Sequence, residues 1–81
     1  MNFLTLIILV NGDPLELTMP SATTGAYAAM RVAEELGQDP LSRRWCLVYE
    51  NEEGVQVTVP DSEIIDRYAS RQLHIGVKRK G

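Results

Sequence analysis

The dipeptide Asn11-Gly12 is the feature that most limits how this chain can fold. It stands between an apolar run, residues 3–10, and a segment, residues 15–19, in which apolar and polar side chains alternate. Asn-Gly is the preferred pair for a two-residue turn with positive φ at both positions, and such a turn joins neighbouring antiparallel strands. The sequence therefore predicts an N-terminal β-hairpin.

This hairpin determines which side chains share a face of the sheet. Successive side chains of a strand point to opposite faces, so a tight turn places Leu4, Leu6 and Ile8 on the face that also carries Leu15 and Leu17. The opposite face carries three further apolar side chains of the first strand: Phe3, Ile7 and Leu9. One face is predicted to enter the core, and the other must be covered or used for binding.

A helix is predicted to follow the hairpin. Thr23 or Thr24 can cap its N-terminus, and Gly37 is typical of a helix C-terminus. Between them, apolar residues at helical spacing predict the buried stripe: Ala26, Ala29, Met30, Ala33 and Leu36. The small alanines favour close packing of this helix on a sheet.

Three shorter strands are predicted after the helix. Residues 45–49 and the alternating valines of residues 55–59 flank an acidic turn at residues 51–54. Residues 60–65 are expected to form a short helical turn, and residues 73–77 a last strand. The order β-β-α-β-β-β is the β-grasp arrangement, which belongs to the α+β class. We expect a mixed sheet of four to five strands packed on one helix.

The size and charge of the chain limit its function. Its 81 residues suffice for one domain, predicted over residues 1–77, followed by a flexible basic tail, residues 78–81. The net charge is −3, and an acidic body repels phosphate backbones, so we expect no nucleic-acid partner. The N-terminal apolar run is too short to span a bilayer and lacks signal-peptide features, which predicts a cytoplasmic protein without membrane contact.

The sequence presents no residue set that predicts catalysis, metal binding or a cofactor. Cys46 and His74 are its single cysteine and histidine, and a zinc site usually takes four ligands. We expect Cys46 to be a small residue packed in the sheet and His74 to lie on the sheet surface, and we do not expect them to form a catalytic pair. Trp45 and Tyr49 share a strand face with Leu47, which favours core packing, whereas exposure of these aromatic rings would mark a docking patch.

The C-terminal segment resembles the closing strand and tail of ubiquitin, in which a Leu-His-Leu strand leads to basic residues and glycine. The segment reads Leu73-His74-Ile75-Gly76-Val77-Lys78-Arg79-Lys80-Gly81. The apolar triplet Leu47-Val48-Tyr49 is similar to that of the third ubiquitin strand. The element order agrees over essentially the whole chain. The sequence also looks like small ubiquitin-like proteins of bacterial operons, from conjugation-like systems and from secretion systems.

This resemblance implies a protein modifier that is not itself an enzyme. In such modifiers an activating enzyme adenylates the C-terminal carboxylate with ATP, passes it to a cysteine as a thioester, and the carboxylate then joins a target amine. Gly81 would carry that bond, because a residue without Cβ lets catalytic groups approach closely. Lys78, Arg79 and Lys80 would steer docking. The implied partners are activating and conjugating enzymes, a target protein and an isopeptidase, with the free protein a monomer.

The resemblance also implies a partner-binding patch on the sheet. Val48 keeps the central position of the ubiquitin patch, and Gly76 stands where ubiquitin has a patch valine. One of Leu9 or Val10 lies near the position of the patch leucine, and His74 belongs to the Leu-His-Ile strand that carries the resemblance. We therefore expect Val48, Leu9, His74 and Gly76 to contact a partner.

Two other functions fit the same sequence. The chain could be a non-covalent interaction module, either a secretion-system accessory or a Ras-association-type domain, for which the sheet surface matters and Gly81 does not. It could also be a sulfur carrier with a C-terminal thiocarboxylate. Sulfur carriers typically end in two glycines, whereas Lys80 precedes Gly81 here.

Overall fold

The computed structural model describes residues 2–78 and shows one five-stranded sheet with one α-helix. The elements are β1 Phe3–Val10, β2 Asp13–Pro20, α1 Gly25–Glu35, β3 Trp45–Glu50, β4 Gln56–Thr58, a 3₁₀ helix Ile65–Tyr68 and β5 Leu73–Val77. The strand order is β2-β1-β5-β3-β4, with β1 and β5 parallel and the other neighbours antiparallel. The last strand thus lies between β1 and β3, which confirms the predicted mixed β-grasp sheet.

The N-terminal hairpin forms as predicted. Asn11 and Gly12 have φ angles of 52° and 85°, the two positive values that a two-residue turn of this type requires. The resulting register sets Leu6 opposite Leu17, so the alternating apolar side chains of both strands point into the core.

The outer edge of β2 is protected by two prolines. The amide of Ser21 donates to the carbonyl of Asn2 at 2.9 Å, so the odd-numbered residues of β2 pair with β1 and the even-numbered ones face outward. Pro14 and Pro20 occupy outward positions and carry no N–H. Two outward donors remain along β2, those of Glu16 and Thr18. An edge with so few donors is a poor template for adding another strand.

Helix α1 begins and ends at the predicted signals. The Thr24 side chain accepts a backbone N–H of the first turn, which identifies it as the N-cap. At the other end Gly37 has a φ of 75° and donates to the Glu34 carbonyl at 3.0 Å. The amide of Gln38 donates to the Ala33 carbonyl at 2.9 Å, completing a Schellman motif. No helix within residues 2–78 is long and apolar enough to cross a membrane.

The buried face of α1 differs from the predicted stripe. The buried helix residues are Gly25, Ala28, Ala29, Val32 and Ala33. The stripe omitted Ala28 and Val32, and it included Ala26 and Met30, which are only half-buried. Alanine occurs around much of this helix, so the hydrophobic pattern fits more than one rotation about the helix axis. Docking on the sheet selects the rotation that brings Val32 into the core.

The core lies between α1 and the inner face of the sheet. Its largest fully buried side chains are Leu6, Ile8, Leu47, Ile65, Leu73, Val32 and Val59. Trp45 and Tyr49 are half-buried and pack against this cluster, which confirms their predicted core role. The Tyr49 ring lies 5.3 Å from that of Tyr68, and the Arg71 guanidinium lies 4.7 Å from the Tyr49 ring centroid.

The helical turn predicted over residues 60–65 was placed too early. A turn closes over residues 60–63, and the 3₁₀ helix begins at Ile65. Between them Ile64 is extended and pairs with Thr24, while the Ile65 amide donates to the Thr23 carbonyl at 2.9 Å. These long-range bonds to the start of α1 prevent a helical conformation at residue 64.

Candidate protein-binding surface

The predicted patch residues meet on the outer face of the sheet, opposite α1. Leu9 of β1 pairs with His74 of β5, and His74 pairs with Val48 of β3. Gly76 follows His74 on the same face, because side chains two residues apart on a strand share a face. Of the alternatives Leu9 and Val10, only Leu9 lies on this face, while Val10 packs against the core.

Two further apolar side chains extend this surface along β1. Phe3 is 61% exposed and Ile7 is 49% exposed, and both lie on the face of Leu9. We call the six residues of this surface the outer patch: Phe3, Ile7, Leu9, Val48, His74 and Gly76. Exposed apolar side chains that share one face of a sheet are typical of a contact surface. The sequence indicated Phe3 and Ile7 as side chains to be covered or used, without assigning them a partner.

A groove of about 620 Å³ runs along the C-terminal side of the outer patch. Gly76 and Val48 line it together with Cys46, Thr58 and Lys78. A Cβ at Gly76 would lie 3.3 Å from Val48 Cγ2 and 3.6 Å from Cys46 Sγ, so a side chain there would project into the groove. A side chain at residue 76 would therefore narrow the groove.

The charges of the outer face lie at its margins. Among the described residues, two carboxylates share this face: Glu16 on the edge strand β2 and Glu50 at the end of β3. Both side chains are exposed. The surface between them is formed by apolar side chains, hydroxyl groups, His74 and Gln72, and Arg71 lines the same recess as Glu50. The Thr5 and Thr18 hydroxyls satisfy each other at 2.9 Å. This arrangement favours an apolar partner surface with basic groups at its rim.

Cys46 is a buried sheet residue, as predicted. Its side chain is 4% exposed and lies beside Gly76 beneath the groove. Burial raises the pKa of the Cys46 thiol; nearby Lys78 partly opposes this effect and Asp61 adds to it. The thiol is therefore protonated at neutral pH and is a poor nucleophile. Within residues 2–78, no group of three or more His, Cys, Asp or Glu side chains is arranged to hold a metal ion.

The predicted conjugation and steering residues lie at the end of the chain. Lys78 is fixed to the domain, because its amide donates to the Arg44 carbonyl at 2.7 Å and its Nζ donates to Asp61 Oδ1 at 2.8 Å. The ammonium group expected to steer an enzyme is thus paired within the domain. Arg79, Lys80 and Gly81 lie outside the described residues.

Comparison with known proteins identifies the fold. No family model matches the sequence, and no curated protein matches it. Fourteen chains of known structure match. One of them, described as the AtNBR1-PB1 domain, is 12% identical, with a TM-score of 0.67 over 96% of this chain and 100% of that one. The chain therefore has the ubiquitin-like β-grasp fold, which it shares with this PB1 domain.

Proposed function

We propose that this chain is a non-covalent protein-interaction module that binds a partner protein through its outer patch. The observation that carries the proposal is the outer face of the sheet, where Phe3 and Ile7 are exposed and the other patch residues are half-buried beside them: Leu9, Val48, His74 and Gly76. The matched PB1 domain is an interaction module, and its fold likeness supports binding as the function. In this proposal the chain is not an enzyme and acts in the cytoplasm.

The geometry of the outer patch suits a preformed binding site. Its residues come from β1, β5 and β3. These three strands are adjacent in the sheet, and hydrogen bonds between them fix their backbones. A partner therefore does not have to order a loop when it binds, which lowers the entropic cost of association. An apolar side chain in the groove beside Gly76, with basic groups facing Glu16 and Glu50, would complement this surface.

The other functions remain predictions. Conjugation and sulfur transfer both depend on the Gly81 carboxylate, which lies outside the described residues, and the fold likeness supports binding over conjugation. Only the modifier hypothesis predicts an activating enzyme, a conjugating enzyme and an isopeptidase as partners. The proposed module would act either as a secretion-system accessory or as a Ras-association-type domain.

The test is affinity capture of partners with an N-terminally tagged chain in its native host. The variants Ile7→Glu and Val48→Glu each place a carboxylate in the outer patch. The matched control is Val55→Glu, since Val55 is 54% exposed but lies at the turn before β4, away from the patch. A chain lacking Gly81 is captured in parallel, and circular dichroism confirms that every variant is folded.

We expect Ile7→Glu and Val48→Glu to reduce the captured partner about tenfold or more, as a buried interface charge does. Val55→Glu and the chain lacking Gly81 should capture normal amounts, and denaturing washes should release the partner. Equal loss with Val55→Glu would contradict the outer patch. Adducts that survive denaturation and require Gly81 would instead support the modifier.

A further inference from the structure

A second surface lies between α1 and the loop that follows it, and no residue of the outer patch contributes to it. It is a groove of about 420 Å³. Its apolar lining consists of Ala26, Met30, Pro40, Leu41 and Trp45. The hydrophobic pattern assigned Ala26 and Met30 to the core. In the structure both are only half-buried, so their side chains line this groove.

The wall of this groove is held in place by Asp39. Its carboxylate accepts the Leu41 amide at 2.9 Å, and its carbonyl accepts the Ser42 hydroxyl at 2.7 Å and the Trp45 indole N–H at 3.2 Å. Leu41 is nevertheless 81% exposed. The loop is thus fixed by hydrogen bonds in a conformation that presents a leucine to solvent, which favours a role in binding.

The rim of the groove is positively charged. Arg43 and Arg44 line it, both are exposed, and within residues 2–78 no carboxylate lies within 4.0 Å of either guanidinium. The one carboxylate that lines the groove, Asp61, is paired with Lys78 at 2.8 Å. Two arginines without a carboxylate partner among the described residues make this rim suited to an anionic ligand.

The N-terminus of α1 does not supply this anion site. The amide of Gly25 donates to the Glu63 carbonyl at 2.8 Å, and that of Ala26 donates to the Asp61 carbonyl at 3.1 Å. These donors are satisfied within the domain. An anion at the groove is therefore bound by the guanidinium groups, whose planar N–H pairs match a carboxylate.

We propose that this groove binds an acidic peptide segment of a partner protein. An apolar side chain of the peptide would pack between Met30 and Leu41, and flanking carboxylates would pair with Arg43 and Arg44. Apolar contact would supply the anchor and the charges would orient the peptide. The partner is identified by this chemistry, a large apolar residue between carboxylates.

The test uses two blocked nine-residue peptides and the isotope-labelled full chain in NMR titrations. The first peptide has a central phenylalanine flanked on both sides by glutamates, and the second has glutamine in place of every glutamate. We expect the acidic peptide to shift the amide signals of Met30, Leu41 and Arg44. The amide peptide should bind about tenfold more weakly or worse, because it lacks the charge-assisted hydrogen bonds.

Variants separate the groove from general attraction between charges. Arg44→Glu should weaken the acidic peptide about tenfold or more, and Leu41→Ala should weaken it several-fold without changing the charge. The matched control is Arg67→Glu, because Arg67 is an exposed arginine on the 3₁₀ helix and does not line the groove. This control should bind like the wild type.

Several results would overturn the proposal: equal binding of both peptides, no effect of Arg44→Glu, or shifts confined to other surfaces. Absence of any shift at about 1 mM acidic peptide would also overturn it, because a Kd much above about 1 mM is too weak for specific recognition. The titration is independent of the outer patch, because Ile7→Glu should leave peptide binding unchanged. Failure of this proposal and failure of the proposed function are therefore distinguishable.

Discussion

The two faces of the sheet carry similar apolar residues on β1 and differ in burial. The inner face carries Leu6 and Ile8, which are completely buried under α1, whereas the outer face carries Phe3 and Ile7, which are largely solvent-exposed. All four side chains belong to β1, and adjacent residues alternate between the faces. Hydrophobicity alone therefore does not separate the buried face from the exposed face in this protein; the position of the single helix does.

The difference in burial predicts that mutations on the inner face reduce stability, whereas mutations on the outer face reduce partner binding. Truncation on the inner face removes contacts of the folded state and leaves a cavity, so it lowers the free energy of unfolding. Truncation on the outer face removes a side chain that is already hydrated, so it leaves stability nearly unchanged and affects partner binding instead.

The largest expected effect comes from two neighbouring isoleucines. Ile8 is 0% exposed and Ile7 is 49% exposed. We expect Ile8→Ala to lower the free energy of unfolding by about 2–5 kcal/mol. Ile7→Ala should lower it by less than about 1 kcal/mol, as typical surface substitutions do. Urea denaturation of both variants checks the difference, and equal losses would show that the two faces are not distinct.

A second pair tests packing with one added methyl group at the start of α1, which covers the inner face, and one on the outer face. A Cβ at Gly25 would lie 2.5 Å from the Pro60 carbonyl oxygen and 3.0 Å from Val59 Cγ1. We expect Gly25→Ala to cost about 1–3 kcal/mol, because backbone must move to admit it. Gly76→Ala meets only side-chain atoms, at 3.3 Å and beyond, and should stay within about 0.5 kcal/mol.

Thermal denaturation of the Gly25 and Gly76 variants measures this pair. Unchanged stability of Gly25→Ala would mean that the junction between α1 and residues 59–60 is looser than the structure shows. A large loss at Gly76→Ala would mean that the outer groove contributes to folding and not only to binding.

A smaller effect is expected at the start of α1, which covers the inner face. The Thr24 hydroxyl accepts the Tyr27 amide at 3.4 Å. We expect Thr24→Ala to lower the free energy of unfolding by about 1 kcal/mol, because an N–H of the first turn loses its acceptor. Thr24→Ser keeps the hydroxyl and should restore most of the stability in the same chemical denaturation experiment. If serine does no better than alanine, the cap does not contribute.

The smallest effect concerns Cys46, which faces outward by register and is nevertheless buried. In the unfolded chain its thiol ionises near the ordinary pKa of 9.0, whereas burial raises the pKa in the folded state. Above that pH the unfolded state binds fewer protons than the folded state, so stability falls as pH rises. At lower pH the contribution is fully present.

Comparison with Cys46→Ala between pH 7 and pH 10 isolates this contribution. We expect the wild type to lose stability relative to the variant as the pH rises above about 9, the region where a free thiol ionises. Curves that stay parallel over the whole range would show that the thiol does not resist ionisation in the folded protein.

The elements that could be predicted from sequence are those with local causes. Asn11-Gly12 predicted the hairpin because both positions accept positive φ. The start of α1 was predicted at Thr23 or Thr24, of which Thr24 is the cap, and its end at Gly37, because such residues satisfy the terminal groups of a helix. The rotation of α1 and the start of the 3₁₀ helix were predicted incorrectly. Both depend on contacts with residues distant in the sequence, which no local pattern encodes.

The candidate surfaces were predictable to different degrees. Leu9, Val48, His74 and Gly76 were identified through resemblance to ubiquitin, and the strand register brings them together. The groove beside α1 was missed. The signal in the sequence was the pair Arg43-Arg44, which begins two residues after Leu41. Such a pair usually lies in a solvated loop without a binding role.

The sequence by itself determined the strands, the helix termini and the two-faced pattern of β1, because these follow from backbone preferences and from the alternation of side chains. The tertiary structure alone decided which apolar face became a surface. One helix can cover one face of a five-stranded sheet, so Phe3 and Ile7 remained exposed when α1 packed against Leu6 and Ile8. Likewise, Lys78 and Asp61 meet beside Arg44 because β5 is inserted next to β3.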